Sequence, residues 1–260
     1  MPAYSEDRRI PLAGADNFRD LGGYPAAGGR RVRSNRIFRS GHLAKLTDAD
    51  LLRLESLEIR RIVDFRGPTE RRDKPDRIPR NVRVVHQPID VAGDDLRQRI
   101  DAFIRAGAPL DARAYLTDVN RRFAGEYTPV FRTWIGEVAR NDDALPQVFH
   151  CTAGKDRAGF AAAVLLRTLG VPLDVVFEDY LRTNAFNAAS TDRIIKTIRV
   201  RTLFRRDAEI IRPLLEVREE YLRTAFRVID DDWGSFEAYV EGGLGLDDAA
   251  RSDLADRLLD

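Results

Sequence analysis

The sole cysteine of the chain, Cys151, sits in the run His150-Cys151-Thr152-Ala153-Gly154-Lys155-Asp156-Arg157-Ala158-Gly159. Gln147 to His150 reads as a short strand after Pro146. Ala158 to Leu169 reads as an apolar helix ended by Gly170 and Pro172. A tight loop between strand and helix turns successive backbone N–H groups inward and forms an anion nest. The helix N-terminus adds its positive end. Arg157 supplies a planar fork that holds two phosphate oxygens. A cysteine in that field is drawn toward its thiolate. A thiolate facing a bound phosphate is a nucleophile for phosphoryl transfer through a covalent cysteinyl-phosphate. The competing reading is a buried structural cysteine at a strand end. The spacing alone is weak, but its place between strand and helix makes it specific. Gly154-Lys155 is not a nucleotide-binding P-loop, because Asp156 replaces the required Ser/Thr and Phe149 replaces the first Gly.

The rest of the chain must position that loop. Its 260 residues are long enough to bury a core. With 43% apolar and 33% charged residues, it is neither disordered nor fibrous. The 43 basic and 42 acidic residues balance to +1, so no global basic field argues for nucleic acid. A single cysteine excludes an internal disulfide framework and a Cys-rich zinc site. Only four lysines occur, Lys45, Lys74, Lys155 and Lys196. The N-terminus is polar and lacks the apolar core of a signal peptide. No run of apolar residues is long enough to span a membrane. A cytoplasmic protein, or one secreted without a cleaved signal, is expected.

Strands are expected over Arg36 to Arg39, Ile59 to Phe65, Val82 to Ile89 and Gln147 to His150. Thr47 reads as the cap of a helix that follows, and Gly67 to Arg80 as a charged, Pro-containing loop. Apolar residues at helical spacing follow in three stretches: Leu96, Ile100, Phe103 and Ile104, then Tyr115, Leu116, Val119 and Phe123, then Phe131, Trp134, Ile135 and Val138. The last 85 or so residues are mostly helical, with Ser235 as a cap. The alternation predicts one α/β domain over residues 1–260, a central mostly parallel sheet flanked by helices. Residues 94–125, with arginines 97, 99, 105, 113, 121 and 122, read either as helices packed on the core or as a helical lid.

Several motifs recur in an order that resembles a known family. Asn17-Phe18-Arg19-Asp20-Leu21-Gly22-Gly23-Tyr24 comes first, then Phe38-Arg39-Ser40-Gly41-His42-Leu43. Val63-Asp64-Phe65-Arg66 with Glu70 follows, then the cysteine loop. The chain resembles the bacterial atypical tyrosine and lipid phosphatases of the Cys-x5-Arg superfamily over residues 12 to 258. The resemblance implies a tyrosine-phosphatase-like fold and metal-free, cofactor-free hydrolysis of phosphate monoesters. Phosphotyrosine, phosphoserine/threonine and phosphoinositides lie within that family's range, so the implied partner is a phosphorylated protein or a phosphoinositide. It implies Cys151 as nucleophile and Arg157 as phosphate clamp. The amides of Thr152, Ala153, Gly154 and Lys155 would line the phosphate. Lys155 would add charge over the substrate, and His150 would orient the loop and favour the thiolate.

The proton donor is left among three residues, since the Trp-Pro-Asp tripeptide of the superfamily is absent. Asp156 lies in the loop itself and is the first choice. Asp64 ends a strand facing the same sheet edge, with an ion pair to Arg66 as its alternative role. Asp90 follows the next strand, where dual-specificity enzymes carry their acid, with a cap or turn as its alternative role. Ala158 departs from the family, which commonly has Ser or Thr there to assist thiolate departure. Asn17, Arg19 and Asp20 either border the site or brace a turn. His42 and His86 have no second ligand at metal spacing, so no metal site is expected. A phosphate-binding relic of a phosphatase, and a sulfurtransferase with a lone cysteine, are the competing readings.

Overall fold

Four short apolar runs lie side by side as parallel strands of one sheet. The structure is a computed structural model and describes residues 8–91 and 93–260, without the side chains of residues 93–97 and 99. The N-terminal stretch to Asp7, and the side chains of Leu96, Arg97 and Arg99, lie outside the described residues. The strands are β1 Arg19–Asp20, β2 Ile37–Ser40, β3 Arg61–Asp64, β4 Arg83–His86 and β5 Gln147–His150. Their order is β1-β2-β5-β3-β4, with β1 antiparallel to β2 and the other pairs parallel. β1 falls in the glycine-rich stretch whose turn residues hide two residues of pairing.

Among the described residues eleven α-helices surround the sheet. They are α1 Asp48–Ser56, α2 Pro68–Asp73, α3 Gly93–Ala106, α4 Ala112–Ala124, α5 Thr128–Arg140, α6 Arg157–Thr168, α7 Leu173–Arg201, α8 Arg212–Leu215, α9 Glu219–Trp233, α10 Phe236–Ala238 and α11 Asp248–Leu258. The expected α/β architecture is the one observed. The period-2 alternation of the strands divides two cores. Phe38, Ile62 and Val148 face a smaller cluster with Leu43, Leu54 and Phe18, while Ile37, Val63 and Phe149 face the larger one. On the larger face Phe65, Trp134 and Phe149 pack ring against ring, and Trp134 Nε1 donates to Gln147 Oε1 at 3.1 Å. A fully buried aromatic ring stabilises by about 1.5–3 kcal/mol, so this cluster anchors β5 firmly beneath the loop it feeds.

Thr47 caps α1 as its sequence suggests, its hydroxyl accepting the Asp50 N–H while Asp50 accepts from the Thr47 N–H. Ser235 caps α10 through the Ala238 N–H. The stretch read as a loop from Gly67 to Arg80 contains α2 instead. Pro68 occupies the first helical position, where its missing N–H costs nothing, and Glu70 accepts the Gly67 N–H. α4 buries Leu116, Val119 and Phe123 and packs along α9, and α3 buries Phe103. No helix of the described residues is long and apolar enough to cross a membrane.

Candidate active site

The parallel register brings Ser40, His150 and Asp64 level at the carboxyl ends of β2, β5 and β3. Cys151 comes one residue later, 3% exposed, and α6 starts at Arg157. Open α/β sheets bind ligands at this edge. The loop carbonyls are held by groups from neighbouring elements. The His42 N–H donates to the Thr152 carbonyl at 3.0 Å, and Asn187 Nδ2 donates to the Ala153 carbonyl at 3.1 Å. Asn17 Nδ2 and Arg39 Nη2 each donate to the Gly154 carbonyl at 2.8 Å. Among the described residues no amide from Thr152 to Arg157 donates to a protein acceptor. Loop amides without an acceptor, beside carbonyls held by neighbouring groups, are what an anion nest requires. Gly154 permits this turn on two counts. Its φ is +66°, and a Cβ there would meet the Ser40 carbonyl at 2.5 Å.

Arg157 is held rigidly. Its Nη1 donates to Glu70 Oε2 at 2.6 Å and its Nη2 to Glu70 Oε1 at 2.7 Å. Nη1 also reaches the Ile89 and Phe65 carbonyls at 3.2 and 3.4 Å. Glu70 accepts a further short hydrogen bond from the Thr152 hydroxyl. Burial pushes the Glu70 carboxyl up, but the Arg157 hydrogen bonds and charge, with Thr152 and the Gly67 N–H, bring it down to about 2. Glu70 is therefore an anion at any ordinary pH, and it fixes the guanidinium plane.

Behind the loop lies a buried network anchored on α7. Arg39 Nη1 donates to Asp179 Oδ2 at 2.7 Å, and Arg19 Nε donates to Asp179 Oδ1 at 2.9 Å. Tyr24 donates to the same carboxylate at 3.0 Å. Burial would raise Asp179, but the two guanidinium charges hold it well below the usual carboxylate range. Asp179, Thr183, Asn187 and Thr191 form a buried polar stripe at i+4 spacing on α7. Asn17 thus borders the loop and Arg19 supports it. Asp20 braces a turn by accepting the Gly22 and Asn35 N–H groups.

The three candidate acids have different surroundings. Asp156 is half-buried at the start of α6, and its Oδ1 accepts from Lys155 Nζ at 2.6 Å. Lys155 Nζ also donates to the Glu216 carbonyl at 3.3 Å. Asp64 is fully buried, both oxygens accepting from Arg66 at 2.9 Å. Asp90 is exposed, and its carboxylate lies against Gly67, one residue beyond the Ile89 carbonyl that binds Arg157. His150 Nδ1 lies 3.2 Å from the Cys151 carbonyl, and its Nε2 lies 3.2 Å from an Asp76 oxygen. Asp64, Asp76 and His150 cluster closely enough to suit a cation, but the Arg66 guanidinium already bridges both carboxylates. A cavity of about 400 Å³ opens on the loop, lined by Thr152, Ala153, Lys155, His42, Lys45 and Lys74 with the α7 residues Asn187 and Arg193.

Two supports, Glu70 as the partner of Arg157 and the α7 stripe, have sequence signals that are easy to pass over. Gly-Pro-x-Glu is a helix start whose third residue faces back. Asp179, Thr183, Asn187 and Thr191 recur every fourth residue, which sets them along one side of α7. A family model described as "Tyrosine phosphatase family" matches residues 10–260. A candidate tyrosine-protein phosphatase of Cupriavidus necator is 39% identical over 234 residues, covering 89% of this chain and 82% of that protein. The triple specificity protein phosphatase PtpB of Mycobacterium tuberculosis is 31% identical over 256 residues, covering 88% of this chain and 91% of that protein. A tyrosine-protein phosphatase of Nostoc commune is 30% identical over 159 residues, covering 60% of this chain and 51% of that protein. The chain belongs to the tyrosine phosphatase family and is a phosphoric monoester hydrolase.

Proposed function

We propose that the enzyme hydrolyses phosphate monoesters through a cysteinyl-phosphate. Cys151 Sγ, as thiolate, attacks phosphorus in line with the ester oxygen. The S–P bond forms as the P–O bond to the leaving group breaks. Asp156 gives its proton to the departing oxygen, and Asp90 is the alternative donor. Arg157 and the amides of Thr152, Ala153, Gly154, Lys155, Asp156 and Arg157 stabilise the equatorial oxygens. Water then attacks the phosphoenzyme, releasing inorganic phosphate and the thiolate. Asp64 has no role in this scheme, since Arg66 engages both of its oxygens inside the protein. The observation that supports the reading is the loop itself, its Thr152, Ala153 and Gly154 carbonyls held by His42, Asn187, Asn17 and Arg39 and its Arg157 clamped by Glu70.

Phosphotyrosine is the first substrate class, with phosphoserine/threonine and phosphoinositide monoesters as further ones. Three of the four lysines of the chain, Lys45, Lys74 and Lys155, line the cavity at the loop. That concentration favours substrates with anionic groups besides the scissile phosphate. The similarity to a phosphatase named for triple specificity supports more than one ester class. Ala158 is the observation that favours a second reading, a phosphate-binding protein with weak turnover.

The test is hydrolysis of p-nitrophenyl phosphate in EDTA by the native protein and by Cys151→Ser. Turnover by the native protein alone supports the thiol mechanism, and matched phosphotyrosine, phosphoserine and phosphoinositide substrates then rank the classes. Vanadate binding without turnover would support the second reading. Equal turnover by both proteins would overturn the mechanism.

A further inference from the structure

The long helix α7 runs past the cavity and ends in an apolar tip that, among the described residues, stays exposed. Eight large apolar side chains are notably exposed among the described residues, and five lie between Ile194 and Ile210. Leu203 is 70% exposed and Phe204 75%. Both hold positive φ, +50° and +58°, a region bulky L-residues rarely adopt. That backbone turns two adjacent large apolar side chains into solvent, where burial gives neither any stabilisation. The same turn ends α7, the Phe204 N–H donating to the Arg199 carbonyl at 2.8 Å and the Leu203 N–H to the Val200 carbonyl at 3.0 Å, and it leaves both side chains in solvent.

The charge around the tip says what it can contact. From residue 193 to 206 there are six basic residues and no acidic one, in a chain whose net charge is only +1. Arg199 pairs with Glu209 at 2.6 Å. Lys196, Arg201 and Arg205 are exposed and have no carboxylate partner among the described residues. An apolar point ringed by unpaired cations is complementary to an anionic lipid bilayer. The rings and aliphatic chains enter the headgroup boundary, and the long basic side chains reach the phosphates and carboxylates. We propose that the end of α7, centred on Leu203 and Phe204, docks the enzyme on anionic membrane surfaces.

The position of the tip adds a consequence. Thr191, Arg193 and Ile194 on the same helix line the cavity at the cysteine loop. At 1.5 Å rise per residue, the end of α7 at Arg201 lies about 10 Å beyond Ile194 along the helix axis, and Leu203 follows two residues later. A docked tip therefore holds the cavity mouth close to the headgroup layer. This docking is independent of the chemistry proposed for Cys151, and its test does not read turnover.

The experiment is co-sedimentation of the full chain with vesicles of phosphatidylcholine alone, or with added phosphatidylserine, at low and high salt. Binding is expected on the phosphatidylserine vesicles only and weakens with salt. The double variant Leu203→Ser/Phe204→Ser should lower partitioning by about a hundredfold, roughly tenfold for each apolar side chain withdrawn. The variant Lys196→Gln/Arg201→Gln/Arg205→Gln should lower it similarly, by about fivefold per charge. Both variants should keep native hydrolysis of soluble p-nitrophenyl phosphate, which checks their folding. Equal affinity for neutral and anionic vesicles would overturn the proposal, as would unchanged binding by the double variant. So would a native dimer that the double variant dissolves without any vesicle binding, since the tip would then serve self-association.

Discussion

Glu70 and Arg157 meet through two parallel hydrogen bonds of 2.6 and 2.7 Å, and the same carboxylate holds the Thr152 hydroxyl. One side chain from α2 therefore fixes both ends of the loop that curls around Cys151. The fork uses Nη1 and Nη2 on Glu70, and Nε has no protein acceptor among the described residues. A phosphate oxygen approaching from the loop meets a guanidinium already oriented.

Glu70→Gln should therefore weaken catalysis without removing the nucleophile. It keeps the shape but loses the charge and one of the two acceptors. A lost charge-assisted hydrogen bond costs about 1.5–3 kcal/mol, so kcat/KM should fall about ten- to hundredfold. Vanadate affinity should fall in parallel, because the oriented Arg157 serves both. The native carboxyl sits at about 2, below its ordinary value of 4.5, so its stabilising contribution is full above 4.5 and lost only as pH falls through about 2. Any kinetic ionisation seen nearer neutrality must then survive in Glu70→Gln. Loss of such a limb in the variant would show that Glu70 titrates in the working range.

Asp179→Asn tests the network behind the loop. Arg19 and Arg39 have fully buried side chains, and Asp179 is their shared counter-charge. Removing one partner from a buried ion pair costs about 3–5 kcal/mol, because charges are left uncompensated. The urea midpoint should drop accordingly. Arg39 also holds the Gly154 carbonyl at 2.8 Å, so vanadate binding should weaken even under conditions where the variant is folded. Normal vanadate affinity in a folded variant would show that the loop keeps its shape without this support.

The sequence made the nucleophile loop legible because its chemistry is local. Cys151, Gly154 and Arg157 are close in the chain, and the strand and helix flanking them have clear periods. The alternation that separates Val148 from Phe149 across the sheet was equally readable. What was not readable is pairing at a distance. Glu70 lies 87 residues from Arg157, and Asp179 lies 140 from Arg39. Charged residues abound in this chain, and nothing local says which of its arginines is buried. The stretch from Gly67 to Arg80 reads as a loop because a proline's role depends on whether it opens or interrupts a helix, and Pro68 opens one. The order of the sheet, with β5 between β2 and β3, likewise comes from tertiary packing and not from any one segment.

Asp156→Asn separates the two remaining proton donors. General acid catalysis contributes about 10²–10⁴-fold where the leaving group is poor, and little where it leaves unaided. Turnover of an alkyl phosphate should fall about a hundredfold or more, while p-nitrophenyl phosphate should change little. Asp90→Asn is the matched comparison, since Asp90 is exposed and follows the Ile89 carbonyl that Arg157 binds. The donor is the residue whose removal steepens the dependence of rate on leaving-group pKa. If only Asp90→Asn does so, Asp156 serves to hold Lys155 through its 2.6 Å contact.

Ala158 bears on the second chemical step. It is fully buried at the second position of α6, and it offers a methyl group where a hydroxyl would assist the departing thiolate. Nothing in the first step depends on that hydroxyl, so phosphorylation of Cys151 should outrun its hydrolysis. Rapid mixing with p-nitrophenyl phosphate should show a burst of nitrophenol approaching one equivalent per enzyme, followed by a slower steady rate. Ala158→Ser restores the oxygen with the smallest change in volume, at a cost of about 1–3 kcal/mol if the hydroxyl finds no partner. That variant should shrink the burst and raise the steady rate while leaving the rate constant of Cys151 phosphorylation unchanged. A linear time course in the native protein would instead mean that phosphorylation limits turnover, and that another group assists the thiolate.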